Sequence, residues 1–215
     1  MARRQRKTIL GRKLGMSQVY GDKNVLTPIT LIEAGPCTVL QIKTEDSDGY
    51  NALQVGFDDT RKEPSKPQQG LFKKVGTAAK KWIREIPPFK DRELAVGDRF
   101  DLAVLDGVAM VDVSGVSKGR GFSGRVRRWG QKIGPRGHGS KNKRVMGSTG
   151  MHQDPGRVQK GKHMPGQHGA GNVKVRNLRV VSVDAEQRLL VVRGAVPGPA
   201  GGYLYIQESL IGLEE

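Results

Sequence analysis

Residues Gly115–Asn177 read GVSKGRGFSGRVRRWGQKIGPRGHGSKNKRVMGSTGMHQDPGRVQKGKHMPGQHGAGNVKVRN. These 63 residues hold 15 Lys or Arg against one acid, Asp154, so their net charge is 15 − 1 = +14 of the chain's +16. They also hold 15 glycines and all four histidines. Apolar residues are sparse and follow neither a helical nor a two-residue period, so no face can be buried against a partner element. A stretch of this kind cannot build its own core. It needs a polyanion to lie against.

Working outward, the other 152 of the 215 residues are enough for one domain with a core. The first 13 residues add +6 through Arg3, Arg4, Arg6, Lys7, Arg12 and Lys13. What remains is 37 − 15 − 6 = 16 basic against 21 − 1 = 20 acidic residues, or −4. The chain is therefore a mildly acidic body with two basic appendages, an asymmetry that favours a nucleic-acid partner. Cys37 is the sole cysteine, which leaves no disulfide framework and no cysteine-based zinc site, and points to a reducing compartment. Within CTVLQI it reads as a small buried hydrophobe. No apolar run approaches the ~20 residues of a membrane span. The basic start MARRQRK lacks the apolar run of a secretory signal, so a cytoplasmic setting without membrane contact is expected.

The body reads as strands from Thr8 onward. Val25–Ala34 and Cys37–Lys43 are predicted strands joined across Gly35-Pro36, with Pro28 requiring an edge or a bulge. Asn51–Phe57 alternates as a further strand. Arg61–Gln69, with two prolines, reads as a surface loop, and Gly70–Lys81 as a short helix docking Leu71, Phe72 and Val75. Trp82–Glu85 is a strand stopped by Pro87-Pro88. Arg99–Leu105 and Val108–Val113 are predicted strands, with Asp106-Gly107 as a two-residue hairpin. After the basic stretch, Leu178–Val183 and Leu189–Arg193 form a hairpin around DAEQ, and Tyr203–Gln207 is a last strand. Three C-terminal strands are too few to be stable alone, so they share one sheet or barrel with those before the stretch. The predicted fold class is mainly β, a small β-barrel body with a long, largely irregular basic extension and one or two short helices. The divisions are a basic tail at residues 1–8, a body at 9–114 and 178–215, and the extension at 115–177.

Four enzyme-like patterns occur in the extension, and each fails on context. Gly119–Gly124 satisfies GxGxxG, but no βαβ unit follows and no acid lies some twenty residues on. Gly156–Lys162 resembles a phosphate loop until His163 takes the place of the magnesium-binding hydroxyl. Gly115–Gly119 fits the nucleophile-elbow string without an acid and histidine to serve it. His138, His152, His163 and His168 match no zinc spacing. No enzyme, cofactor, metal or small-molecule substrate is expected.

A polyanion partner explains the same residues. Lys and Arg neutralise phosphates and release counterions, while glycine admits close backbone approach and positive φ. The candidate RNA contacts are Lys118, Arg120, Arg125, Arg127, Arg128, Trp129, Lys132, Arg136, His138, Lys141, Lys143, Arg144, His152, Gln153, Arg157, Lys160, Lys162, His163, His168 and Lys174. Trp129 offers either a face for base stacking or the anchor of a short helix over Phe122–Trp129, and both can hold. A long finger suits folded RNA, with its crevices and unstacked bases, better than a DNA groove. No DNA-reading helix motif is visible.

Five blocks carry a family resemblance. They are ILGRKLGM at Ile9–Met16, DGYNALQVGF at Asp48–Phe57, VSKGRGFSGRVRRW at Val116–Trp129, GSTGMHQDPGRVQKGKHMPGQHG at Gly147–Gly169, and LLVVRGAVPG at Leu189–Gly198. In this order, from Ile9 onward, the chain resembles the universal uL-three family of bacterial large-ribosomal-subunit (50S) proteins. The resemblance implies a barrel of the translation-protein type on the subunit surface and an extension entering 23S ribosomal RNA. It further implies direct binding near the 3′ end of that RNA, an early part in 50S assembly, and a tip directed towards the peptidyl transferase centre. The tip would fall at Met151, His152, Gln153 and Asp154. Gln153 matches a glutamine that a glutamine methyltransferase converts to N5-methylglutamine in some members. Neighbours implied on the subunit are the proteins numbered fourteen and nineteen. MARRQRKT precedes the usual family start and is either a further RNA contact or a disordered tail. In the protein free of RNA, limited proteolysis should cut within 115–177 while the body survives; a segment as resistant as the body would instead be an independently folded domain.

Overall fold

The β-rich residues from Thr8 form one long strand, β1 (Thr8–Tyr20), which turns back into β2 (Leu26–Ala34). The computed structural model describes residues 6–21, 24–89 and 92–211. Along them follow β3 (Cys37–Lys43), the single-turn α1 (Glu45–Asp48), β4 (Ala52–Asp59), α2 (Lys66–Val75), β5 (Lys80–Ile86) and β6 (Arg99–Phe100). Next come β7 (Met110–Val116), β8 (Phe122–Ser123), α3 (Arg125–Trp129), β9 (Gly166–Gln167), β10 (Asn172–Asp184), β11 (Leu189–Arg193) and β12 (Tyr203–Glu208). The chain divides into two units, Met1–Val116 with Asn172–Glu215, and Ser117–Gly171.

In the first unit the antiparallel order β1-β12-β7-β10-β11-β2 returns to β1, so the six-stranded sheet closes on itself. Strands from before and after the basic stretch thus share one sheet, as expected. Side chains alternate across it. Ile9, Ile32, Val111, Val113, Leu190, Val192, Leu204 and Ile206 are fully buried. Pro28 occupies the end of β2 that has β1 on one side only, since β11 pairs with Ile29–Glu33. That is where a residue without an N–H is tolerated.

The strands between residues 37 and 100 depart from the single-sheet expectation. They form a second sheet, β5-β4-β3-β6, whose Val39, Val55, Phe57, Ile86 and Phe100 join the same apolar core. Cys37 is fully buried, and burial pushes its thiol up to about 12. Two local readings are also corrected. The helix covers Lys66–Val75 and not Gly70–Lys81. Pro67, which read as loop, lies in its first turn, where no intrahelical N–H is needed. Gly76, at φ 72°, ends it by donating to Phe72 O, and Lys80 already belongs to β5, its ammonium 2.6 Å from Asp59. Arg99–Leu105 is a strand for two residues only. Leu102 and Leu105, three apart and both buried, then form a 3₁₀ turn, so Asp106-Gly107 does not join two strands.

The body also reaches further into the basic stretch than expected. β10 begins at Asn172, and residues Asn172–Val175 pair with Val116–Val113 of β7. The register shifts between Val175 and Leu178. There Asn177, at φ 58°, donates its N–H to Asp112 Oδ1 at 3.1 Å and accepts from the Ser209 hydroxyl at 2.6 Å. Asp112 is buried and also meets Arg6 at 3.4 Å and Lys174 at 3.5 Å. Of the basic tail, residues 1–5 lie outside the described residues, and Thr8 is already strand. Close packing of β1 between β2 and β12 supplies a test. A Cβ on Gly11 would stand 2.7 Å from Glu33 O. Gly11→Ala should therefore lower stability by about 1–3 kcal/mol in urea unfolding, and a neutral result would contradict this packing.

Candidate nucleic-acid interface

The second unit, Ser117–Gly171, carries 13 Lys or Arg and Asp154, a net charge of 13 − 1 = +12. Among its described residues Ser123 alone is buried, so hydrophobic burial does not hold it. Main-chain hydrogen bonds do. Ser117 N–H donates to Gly171 O at 2.9 Å, Arg120 N–H to His168 O at 2.8 Å, and His168 N–H to Gly121 O at 3.0 Å. The Ser117 hydroxyl adds a bond to Gly171 O at 3.1 Å. Beyond them Phe122 pairs with Gln167 and Ser123 with Gly166. The two arms therefore run antiparallel and zipped at their base, while most of the unit beyond is irregular chain, as the charge pattern predicts.

Glycine makes that approach possible where backbone meets backbone, at Gly169. A Cβ on Gly169 would collide with Lys118 O, and one on Gly166 with the Arg128 guanidinium. Arg128 in turn donates to Met164 O at 2.9 Å. The Trp129 indole N–H reaches the same oxygen, also at 2.9 Å. The Trp129 ring is stacked on the His163 imidazole, with centroids 4.1 Å apart and planes within 6°. The Arg128 guanidinium lies 5.0 Å from the indole centroid. The expected helix over Phe122–Trp129 is confined to Arg125–Trp129 and stopped by Gly130 at φ 66°. Trp129 is thus the anchor that ties α3 to the returning arm, while 43% of it stays exposed.

The remaining candidates are distributed along the unit. Lys118 and Arg120 are exposed on the outgoing arm and Arg127 on α3, while Arg125 and Arg128 are half-buried. Lys132, Arg136, His138, Lys141, Lys143 and Arg144 are exposed along 131–146, where Gly134 N–H donates to Lys143 O at 2.9 Å. His152, Gln153, Arg157, Lys160 and Lys162 are exposed further on. His168 is half-buried in the returning arm and its Nδ1 is buried without a hydrogen-bond partner. Lys174 stands apart, because it belongs to β10 in the first unit. Its ammonium is answered there by Asp112 and by Gln207 Oε1 at 3.2 Å. Among the described residues no carboxylate pairs with a cation of Ser117–Gly171. Ser117, Met164 and Gly171 were not candidates; they act through main-chain atoms and one hydroxyl, which a count of charges does not register.

A cavity of about 280 Å³ lies within the unit, lined by Ser148, Thr149, Gly150, Met151, Pro155, Arg157, Gln159 and Lys162. Two cations, two hydroxyls and an amide are among its lining residues, with no carboxylate. The phosphate-loop string Gly156–Lys162 overlaps this wall, yet no helix follows it. The GxGxxG string leads into β8 and a single-turn helix, not a βαβ unit. Among the described residues no three His, Cys, Asp or Glu are grouped to hold a metal ion.

Comparison with known proteins bears on this pairing of a closed sheet with a basic unit. The family described as Ribosomal protein L3 matches residues 95–190, which span the whole second unit and its flanking strands. The chain is also similar to the large ribosomal subunit protein uL3 of Thermosipho africanus (strain TCF52B), at 43% identity over 203 residues. That alignment covers 94% of this chain and 98% of the relative. Agreement at this level over nearly all of both sequences shows that the chain belongs to the uL3 family, structural and non-enzymatic constituents of the large subunit of the cytoplasmic ribosome.

Proposed function

We propose that Ser117–Gly171 is the principal contact of this protein with 23S ribosomal RNA, and that binding lies near the 3′ end of that RNA. The observation that carries the reading is the unit's charge of +12 with no carboxylate paired to its cations among the described residues. A surface of that kind is repelled by itself and gains most from phosphates, whose condensed counterions it displaces. Zipped arms hold the two ends of the segment together, so RNA need order only the part between them. The exposed cations from Lys132 to Lys162 make the main phosphate contacts in this reading. Lys174, already held by Asp112 and Gln207, contributes least.

The closed six-stranded sheet is, in the same reading, the translation-protein barrel at the subunit surface, and the protein joins the large subunit early in assembly. Met151, His152, Gln153 and Asp154 form the part directed towards the peptidyl transferase centre. Gln153 is exposed, as a glutamine methyltransferase would require. The large-subunit proteins numbered fourteen and nineteen are the proposed neighbours of the body.

The pairing of Val116 with Asn172 allows a clean deletion, because an Asn-Gly turn can join β7 to β10 directly. Filter binding to the 3′ region of 23S RNA should show the intact chain losing roughly 10³–10⁵ in affinity between 50 and 200 mM salt, as for 6–10 neutralised phosphates. The deleted chain should bind far more weakly and with a much flatter salt slope. Equal affinity and slope for the two chains would contradict the proposal.

A further inference from the structure

β1 and β2 continue as a two-stranded ribbon after the closed sheet ends. β12 leaves β1 at Arg12, and β11 leaves β2 at Ile29, yet β1 and β2 stay paired as far as Tyr20 and Leu26. The ribbon's apolar side chains are not covered. Leu14, Met16, Val19, Tyr20, Val25 and Leu26 are each between 44% and 71% exposed. A cluster of this kind on a soluble chain marks a contact surface.

Ladder parity shows which backbone edge is open. In an antiparallel pair alternate residues bond across to the partner, and those between them direct N–H and C=O outward. Gly21 N–H donates to Val25 O at 3.0 Å, which fixes Gly21, Val19 and Ser17 as the residues bonded to β2. Met16, Gln18 and Tyr20 therefore point their main-chain groups away from β2. Among the described residues no hydrogen bond engages those groups. On β2 the same parity turns Pro28 outward, but it has no N–H and its carbonyl accepts from Gly194 N–H at 2.9 Å. On that edge Leu26 alone stays open among the described residues, while β1 offers a row of three donors and three acceptors. Natural edges are usually blunted by Lys, Pro or inward charge, and Leu14–Tyr20 contains none of these.

We propose that the β1 edge at Met16–Tyr20 is a docking site for an extended, uncharged, apolar-rich segment of another polypeptide of the large subunit, which adds to the ribbon as a strand. Charge selects polypeptide over RNA. No charged residue occurs in Leu14–Tyr20 or Val25–Ile29, whereas the other unit concentrates +12. Phosphates find no cation along Leu14–Tyr20 or Val25–Ile29. An added strand gains main-chain bonds along the edge, with Met16 and Tyr20 on one face and Val19 on the other supplying alternate side-chain contacts. The inference uses family membership but not the RNA reading of Ser117–Gly171.

Amide exchange tests it in the unmodified protein, free and within purified large subunits. Ser17 and Val19, already bonded to β2, should be protected in both. Met16, Gln18 and Tyr20 should exchange fast in the free chain and at least ~100-fold more slowly in the subunit. Exchange at those three that is equally fast in both would overturn the proposal. A benzophenone side chain placed at Tyr20 then identifies the neighbour in illuminated subunits. A cross-link to a segment of another protein is the expected product. A cross-link to RNA, to a second copy of this chain, or to nothing would each overturn it. Neither readout depends on whether deleting Ser117–Gly171 abolishes RNA binding.

Discussion

The antiparallel pairing of β7 with β10 is the constraint on which the rest depends. It joins Met110–Val116 to Asn172–Arg179 and so brings together the ends of a 171 − 117 + 1 = 55-residue insertion. The same pairing completes the closed sheet, since β10 carries the order on to β11 and β7 carries it to β12. Closing a long loop costs entropy that grows only slowly with length. A sheet whose interior is lined by Ile9, Val113, Leu190 and Ile206 can meet that cost from its own burial. The insertion therefore begins and ends at a fixed place without needing a core.

From that junction order continues into the basic unit by means other than apolar packing. Main-chain bonds run from Ser117 and Gly171 to Phe122 and Gln167, and the Trp129–His163 stack with its shared Met164 carbonyl follows. Gly169 is what the approach of the arms requires, because any side chain there meets the Lys118 carbonyl. Cations can then crowd along the segment without carboxylates, and in the proposed reading an external polyanion relieves their mutual repulsion. Apolar burial and positive charge are divided between parts. The first unit holds the fold, and the second carries the charge.

Much of this was legible in the sequence, and the losses have physical causes. Composition and charge separated body from extension, and alternation found β2, β3, β4, β11 and β12. The start of β10 was missed although Val173 and Val175 alternate with Lys174 and Arg176, because the basic residues were counted with the extension. Prolines concealed the first turn of α2, and the spacing of Leu102 and Leu105 passed for strand alternation until their shared burial showed a 3₁₀ turn. Division of the strands into two sheets depends on long-range pairing that no local pattern encodes. Among the candidate site residues, charge located the exposed Lys and Arg but could not separate Lys174, held by Asp112 and Gln207, from the rest. Trp129 was legible as the anchor of a short helix, and it stacks on His163 and donates to Met164 O while remaining partly exposed.

The central claim is that the fold ties the base of the extension and leaves its basic middle for RNA to order. Amide exchange across residues 117–171, with and without bound 23S RNA, tests it most directly. The amides of Arg120 and His168, bonded between the arms, should be slow in both states, and those of residues 131–162, apart from Gly134 with its bond to Lys143 O, should become slow only in the complex. Equal protection of 131–162 in the two states would contradict the account, as would arms that exchange freely until RNA is added.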